Sequence, residues 1–104
     1  MSVLLEFAMF PTDRTESKSE YVGRIIDMID QSGVAYQLTP MGTIIETETL
    51  EEALKVVQRA YALLEGDCSR VYSSLKIDIR KGKDDRLKQK IASVESKIGR
   101  KVKC

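Results

Sequence analysis

Glu46 stands directly after two isoleucines in "LTPMGTIIETE", residues 38–48. The segment reads as a turn followed by a strand. A carboxylate in such a strand must find a cation or hydrogen-bond donors, because burying it unpaired costs several kcal/mol. Glu6 interrupts a second apolar stretch, and Tyr72, Ser74 and Lys76 alternate along a third. Two acids, an ammonium and two hydroxyls can attract and orient a cationic or amine-bearing molecule. The same set can also form salt bridges, Glu46 to Lys76 for example, that hold two subunits in register. Residue types and spacing leave both readings open.

Other chemistries are poorly served. The 104 residues contain no histidine, which removes the commonest metal ligand and general base. Cys68 and Cys104 stand in no metal or redox spacing, so no metal site or cofactor is expected. With 17 basic and 16 acidic residues, the net charge of +1 gives no field to gather nucleic acid or an anionic membrane.

The elements that must position these residues follow from periodicity. Val3, Leu5, Phe7 and Met9 make one apolar face of a first strand, with Leu4, Glu6, Ala8 and Phe10 on the other. Pro11 ends it. Ser17-Lys18-Ser19-Glu20 reads as a capping box opening a helix with Val22, Ile25, Ile26 and Ile29 in one stripe, stopped by Gly33. Ala35–Thr39 and 43–48 form a hairpin around Pro40-Met41-Gly42. Thr49 to Glu52 caps a second helix, with Leu50, Leu54, Val57, Tyr61 and Leu64 as its buried stripe and Gly66 at its end. Residues 70–80 form the longest strand. Its core face carries Val71, Ser73, Leu75, Ile77 and Ile79. A last helix from about Asp84 to Ile98 precedes a basic, solvated tail from Arg100 to Cys104.

This order, with right-handed crossovers, predicts a ferredoxin-like βαββαβ sandwich of the α+β class. The expected sheet is four-stranded and antiparallel, in order 4-1-3-2, with an added C-terminal helix. Residues 1–99 form a single domain and residues 100–104 a tail. Two helices cover only one side of such a sheet. Turning Ile45 inward spares Glu46 from burial against them, so Glu46 joins Glu6, Ser74 and Lys76 on the open face. That mixed face, together with an unprotected fourth strand, predicts a partner, the extra helix or a ligand upon it.

The stretches "VLLEFAMFP", "YVGRIIDMID", "YQLTPMGTIIETE", "RVYSSLKIDIRKG" and "KIASVESKIG" resemble the small thiamine-binding proteins of about a hundred residues, a family long without an assigned function. The resemblance runs from Ser2 to Gly99. Its most specific part is "TPMGTIIE" paired with "RVYSSLKID" some thirty residues later. It implies a ferredoxin-like fold and a homo-oligomer, dimers assembled into a tetramer. It also implies non-catalytic binding of thiamine or its aminopyrimidine moiety. The positions carried over are Glu6, Thr39, Met41, Gly42, Thr43, Glu46, Ser74 and Lys76, with Glu46 expected to take the ligand. Many members carry an acid after "KID", where this chain has Ile79. Since Ile79 faces the core by alternation, the site should survive the change.

An RNA-binding module of similar strand order needs stacking aromatics on the central strands, where this chain has Glu6, Ala8, Ile44 and Glu46. No nucleophile stands beside a base in a recognisable motif, as an enzyme would require. An allosteric sensing domain of ACT-like architecture, binding an amino acid at a subunit interface, is the strongest alternative. The apolar start of the chain reads as a strand rather than a signal peptide, and no run approaches a membrane span, so the cytosol is the expected location.

Overall fold

The computed structural model describes residues 1–13 and 18–103. The elements are β1 (Ser2–Pro11), α1 (Lys18–Ser32), β2 (Ala35–Thr39), β3 (Gly42–Thr47), α2 (Leu50–Glu65), β4 (Val71–Arg80) and α3 (Arg86–Ile98). The sheet runs β2-β3-β1-β4, the expected order read from the other edge, and every pairing is antiparallel.

Alternation along β1 decides which face is covered. Val3, Leu5, Phe7 and Met9 are buried, while Leu4, Glu6, Ala8 and Phe10 are half-buried. Ile45 of β3 is fully buried beside Leu5, so it points inward as the cost of burying Glu46 demands. Tyr21, Ile25 and Ile29 of α1 and Ala53, Val56, Ala60 and Leu64 of α2 close the core above this face.

The ends of the elements are set by local chemistry. The Glu52 amide donates to the Thr49 hydroxyl at 3.2 Å, capping α2. Gly33 and Gly99 end α1 and α3 with φ of 80° and 75°, a conformation that a β-carbon disfavours. The capping box expected at the start of α1 falls on Ser17, outside the described residues. Within α1, Glu20 pairs with Arg24 at 3.4 Å.

Several expectations are corrected. The buried stripe of α2 is Ala53, Val56, Ala60 and Leu64, about one residue around the helix from the row of larger side chains. Leu54 and Tyr61 are exposed, and Leu50 and Val57 are only partly buried. Small alanines let α2 approach the sheet closely, so packing distance rather than side-chain bulk chose the face. On the helix side of β4, Leu75, Ile77 and Ile79 are 39%, 43% and 47% exposed, so Ile79 lies on the expected face without being in the core. The helices do not reach over them: α1 packs on β1 and β2, and α2 on β1 and β3. The tail is tied back at one point, where the Val102 amide donates to Glu95 at 2.9 Å.

Candidate ligand-binding site

The eight residues singled out from the sequence fall into three neighbouring groups. Thr39, Met41, Gly42 and Thr43 gather around the β2–β3 turn. The Thr39 hydroxyl accepts from the Met41 and Gly42 amides at 3.2 and 3.1 Å and donates to the Gly42 carbonyl at 2.8 Å, which locks the turn. These four residues line a mainly apolar cleft of about 210 Å³, together with Phe7 and Val22 among others. Gly42 is required by close approach: a β-carbon there would lie 3.0 Å from the Phe7 carbonyl oxygen.

Glu6, Ser74 and Lys76 lie on the open face beside this turn. The pairing sets Glu6 opposite Ile44 on one side and Lys76 on the other, and Ser74 opposite Ala8. The Glu6 side chain reaches the turn, its Cγ lying 3.8 Å from the position a Gly42 β-carbon would take. Among the described residues no hydrogen bond or ion pair engages the Glu6 carboxylate.

Glu46 is committed elsewhere. It stands opposite Leu4, and its carboxylate turns away from Glu6 toward the start of α3. It accepts from the Arg86 and Leu87 amides at 2.9 and 3.2 Å and from the Ser2 hydroxyl at 2.5 Å. The residue preceding α3, Asp85, has φ of 57° and makes no side-chain cap, so Glu46 supplies from β3 the acceptor that the helix terminus lacks. Burial pushes the Glu46 carboxyl up, but Ser2, the two amides and the Arg86 guanidinium outweigh it and hold the group below its ordinary value.

Arg86 completes this knot. Its guanidinium donates to the Ser2 hydroxyl at 3.0 Å, to the Ser2 carbonyl at 2.8 Å, and to the Asp78 carbonyl and carboxylate at 2.7 and 2.8 Å. The expected partner of Glu46, Lys76, is therefore replaced by a helix terminus, and Lys76 is the cross-strand neighbour of Glu6. Sequence reading missed Ser2 and Arg86, because positions 2, 46, 78 and 86 meet only once the sheet and α3 are assembled. Phe10, read onto the open face of β1 but not among the eight, lines the same cleft. It forms a tilted ring pair with Tyr72 at 5.6 Å, and Lys18 lies 4.5 Å from its ring centre.

The thiamine-binding protein family matches residues 5–95, which contain the turn, both open-face acids and Lys76. This chain belongs to that family. A UPF0045 protein of Methanothermobacter thermautotrophicus is 39% identical over 83 residues, 79% of this chain and 84% of its own length. One from Mycobacterium bovis is 38% identical over 95 residues, 91% of this chain and 93% of its own. The crystal structure of the hypothetical protein MJ1052 from Methanocaldococcus jannaschii superposes with a TM-score of 0.78 at 32% identity, covering 89% of this chain and 95% of that one. In this thiamine-binding family member, no group of three or more potential metal ligands is found among the described residues. No described helix is long and apolar enough to cross a membrane.

Proposed function

We propose that the chain binds thiamine or its aminopyrimidine moiety without catalysis, as a homo-oligomer of dimers assembled into a tetramer, in the cytosol. Family membership supports the ligand class. The observation that carries the site is the unengaged Glu6 carboxylate beside Gly42 of the β2–β3 turn, whose residues line the cleft. A cleft of about 210 Å³ is smaller than sites for whole drug-sized ligands, roughly 300–1,000 Å³, and suits a single ring. The aminopyrimidine enters between Thr39, Met41, Gly42 and Thr43. Glu6 accepts from its amino group, and Ser74 and Lys76 border the rest of the ligand on the open face. Glu46 then contributes by holding α3 rather than by touching ligand.

Thermal unfolding with and without thiamine tests this reading. Ligand at 100 times its dissociation constant adds about 2.7 kcal/mol per site if only the native state binds. For a domain of this size that raises the melting temperature by about 10 °C or more. The aminopyrimidine fragment should shift it in the same direction. No shift with either molecule refutes the proposal.

A further inference from the structure

The near-neutral total charge hides a segregation. Residues 80–103 carry ten Lys and Arg against three Asp and Glu, whereas the rest of the chain carries seven against thirteen. Part of this basic segment lines a cavity of about 500 Å³ between the end of β4 and α3. Arg80 comes from the last position of β4, and Lys83 from the turn that follows, where Gly82 has φ of 75°. Arg86, Gln89, Lys90 and Ser93 of α3 are spaced to share one helix face. At about 100° per residue, the apolar row of Leu87, Ile91, Val94 and Ile98 lies about a third of a turn away, and Glu95 on the opposite side. Asp78 also lines the cavity, but the Arg86 guanidinium already holds its carboxylate at 2.8 Å. Among the described residues, the side chains of Arg80, Lys83, Gln89, Lys90 and Ser93 enter no hydrogen bond or ion pair. Three unpaired cations and two neutral donors thus converge on one space.

We propose that this cavity binds the phosphoryl group of a small diphosphate or phosphate ester. Like charges gathered on one cavity repel, and an anion that enters it is attracted by all of them at once. A carboxylate would bring one charge and two oxygens. A phosphoryl group brings a charge of about −1.5 to −2 and three strong acceptor oxygens, which fits three cations and two further donors. A single-stranded nucleic acid would want an extended basic track with aromatic rings for its bases. Among the described residues no aromatic side chain lines this cavity, and Asp84 and Asp85 directly follow Lys83. The cavity shares no lining residue with the turn cleft, so the proposal does not rest on thiamine binding there.

Titration calorimetry of the full chain with inorganic pyrophosphate and with glycerol 3-phosphate tests it, in phosphate-free buffer without divalent metal. Saturable binding at a single site per chain is expected, and the tighter of the two probes tells a diphosphate from a monoester. The double variant Lys83→Gln/Lys90→Gln should weaken that binding roughly tenfold or more, since each lysine supplies a charge-assisted contact. Its melting temperature should match wild type, because neither side chain holds another residue. Lys88→Gln/Lys101→Gln removes the same charge outside the cavity, Lys88 lining the groove on the other side of α3, and should leave the affinity near wild type. No saturable binding of either probe overturns the proposal. So does wild-type affinity in the Lys83/Lys90 variant. Equal weakening by both pairs shows a diffuse field rather than a site and overturns it as well. A short DNA duplex that binds through Lys83 and Lys90 and is not displaced by pyrophosphate makes nucleic acid the ligand and overturns the small-molecule reading.

Discussion

Removing the Glu46 carboxylate should free α3 and leave the sheet intact. The carboxylate accepts two main-chain amides at the helix start and the Ser2 hydroxyl. Loss of a helix cap costs about 0.5–2 kcal/mol, and a hydrogen bond to a charged group is worth about 1.5–3 kcal/mol. Water can recover part of this at a half-buried terminus, so about 2 kcal/mol is expected for Glu46→Ala. The loss should fall on α3 because that helix has no fully buried residue to hold it otherwise. Local opening by that amount accelerates amide exchange roughly 30-fold, at about 1.36 kcal/mol per factor of ten. Hydrogen exchange read by mass spectrometry should show this acceleration across residues 86–98, with β1 and β3 near wild type. Unchanged exchange in α3 refutes the capping role. Equal acceleration of α3 and the sheet refutes its local character.

Three further outcomes follow from the same geometry. The Glu46 carboxyl is held below its ordinary value of 4.5, so its contribution is complete above that pH and is lost as pH falls through the folded-state value. Exchange in α3 should therefore rise in acid before that of the sheet, and Glu46→Gln should flatten the dependence. Readout in α3 separates this from Asp13, whose carboxyl is also lowered, by the hydroxyl and amide of Ser69. Glu6→Gln should weaken thiamine binding by about 1.5–3 kcal/mol with little change in melting temperature, and wild-type affinity by calorimetry would exclude Glu6 as a contact. Gly42→Ala presses a β-carbon to 3.0 Å from the Phe7 carbonyl, so a loss of about 1–3 kcal/mol in denaturant unfolding is expected. An unchanged unfolding midpoint would show that the turn yields freely.

The strand order was legible because each strand announced its own faces. β1 carried one wholly apolar face and one mixed face, Pro40-Met41-Gly42 fixed the hairpin, and placing Glu46 outward chose the buried face of β3. The bounds of β2 came out as Ala35–Thr39, as read. The stripe of α2 was misread because bulky Leu54 and Tyr61 outweigh Ala53 and Ala60 in any pattern of hydrophobicity, whereas a close helix–sheet contact prefers the alanines. Half-exposed β4 residues read as core for a related reason: alternation gives the face, not what covers it. At the site, the turn residues were legible from their types. The partner of Glu46 was not, since a helix terminus advertises its free amides in no side chain, and Arg86 gains its role only from residues far away in sequence.

The central claim is that thiamine seats at the β2–β3 turn with Glu6 beside it. Amide chemical-shift mapping of isotope-labelled, deuterated protein during a thiamine titration tests it most directly. Saturable shifts should cluster at residues 39–44 and along Glu6 to Phe10, with β4 near Ser74 and Lys76 responding less. Absence of saturable shifts, or a cluster confined to the groove that Tyr36 and Gln37 of β2 line with Leu87 and Ile91 of α3, would contradict it.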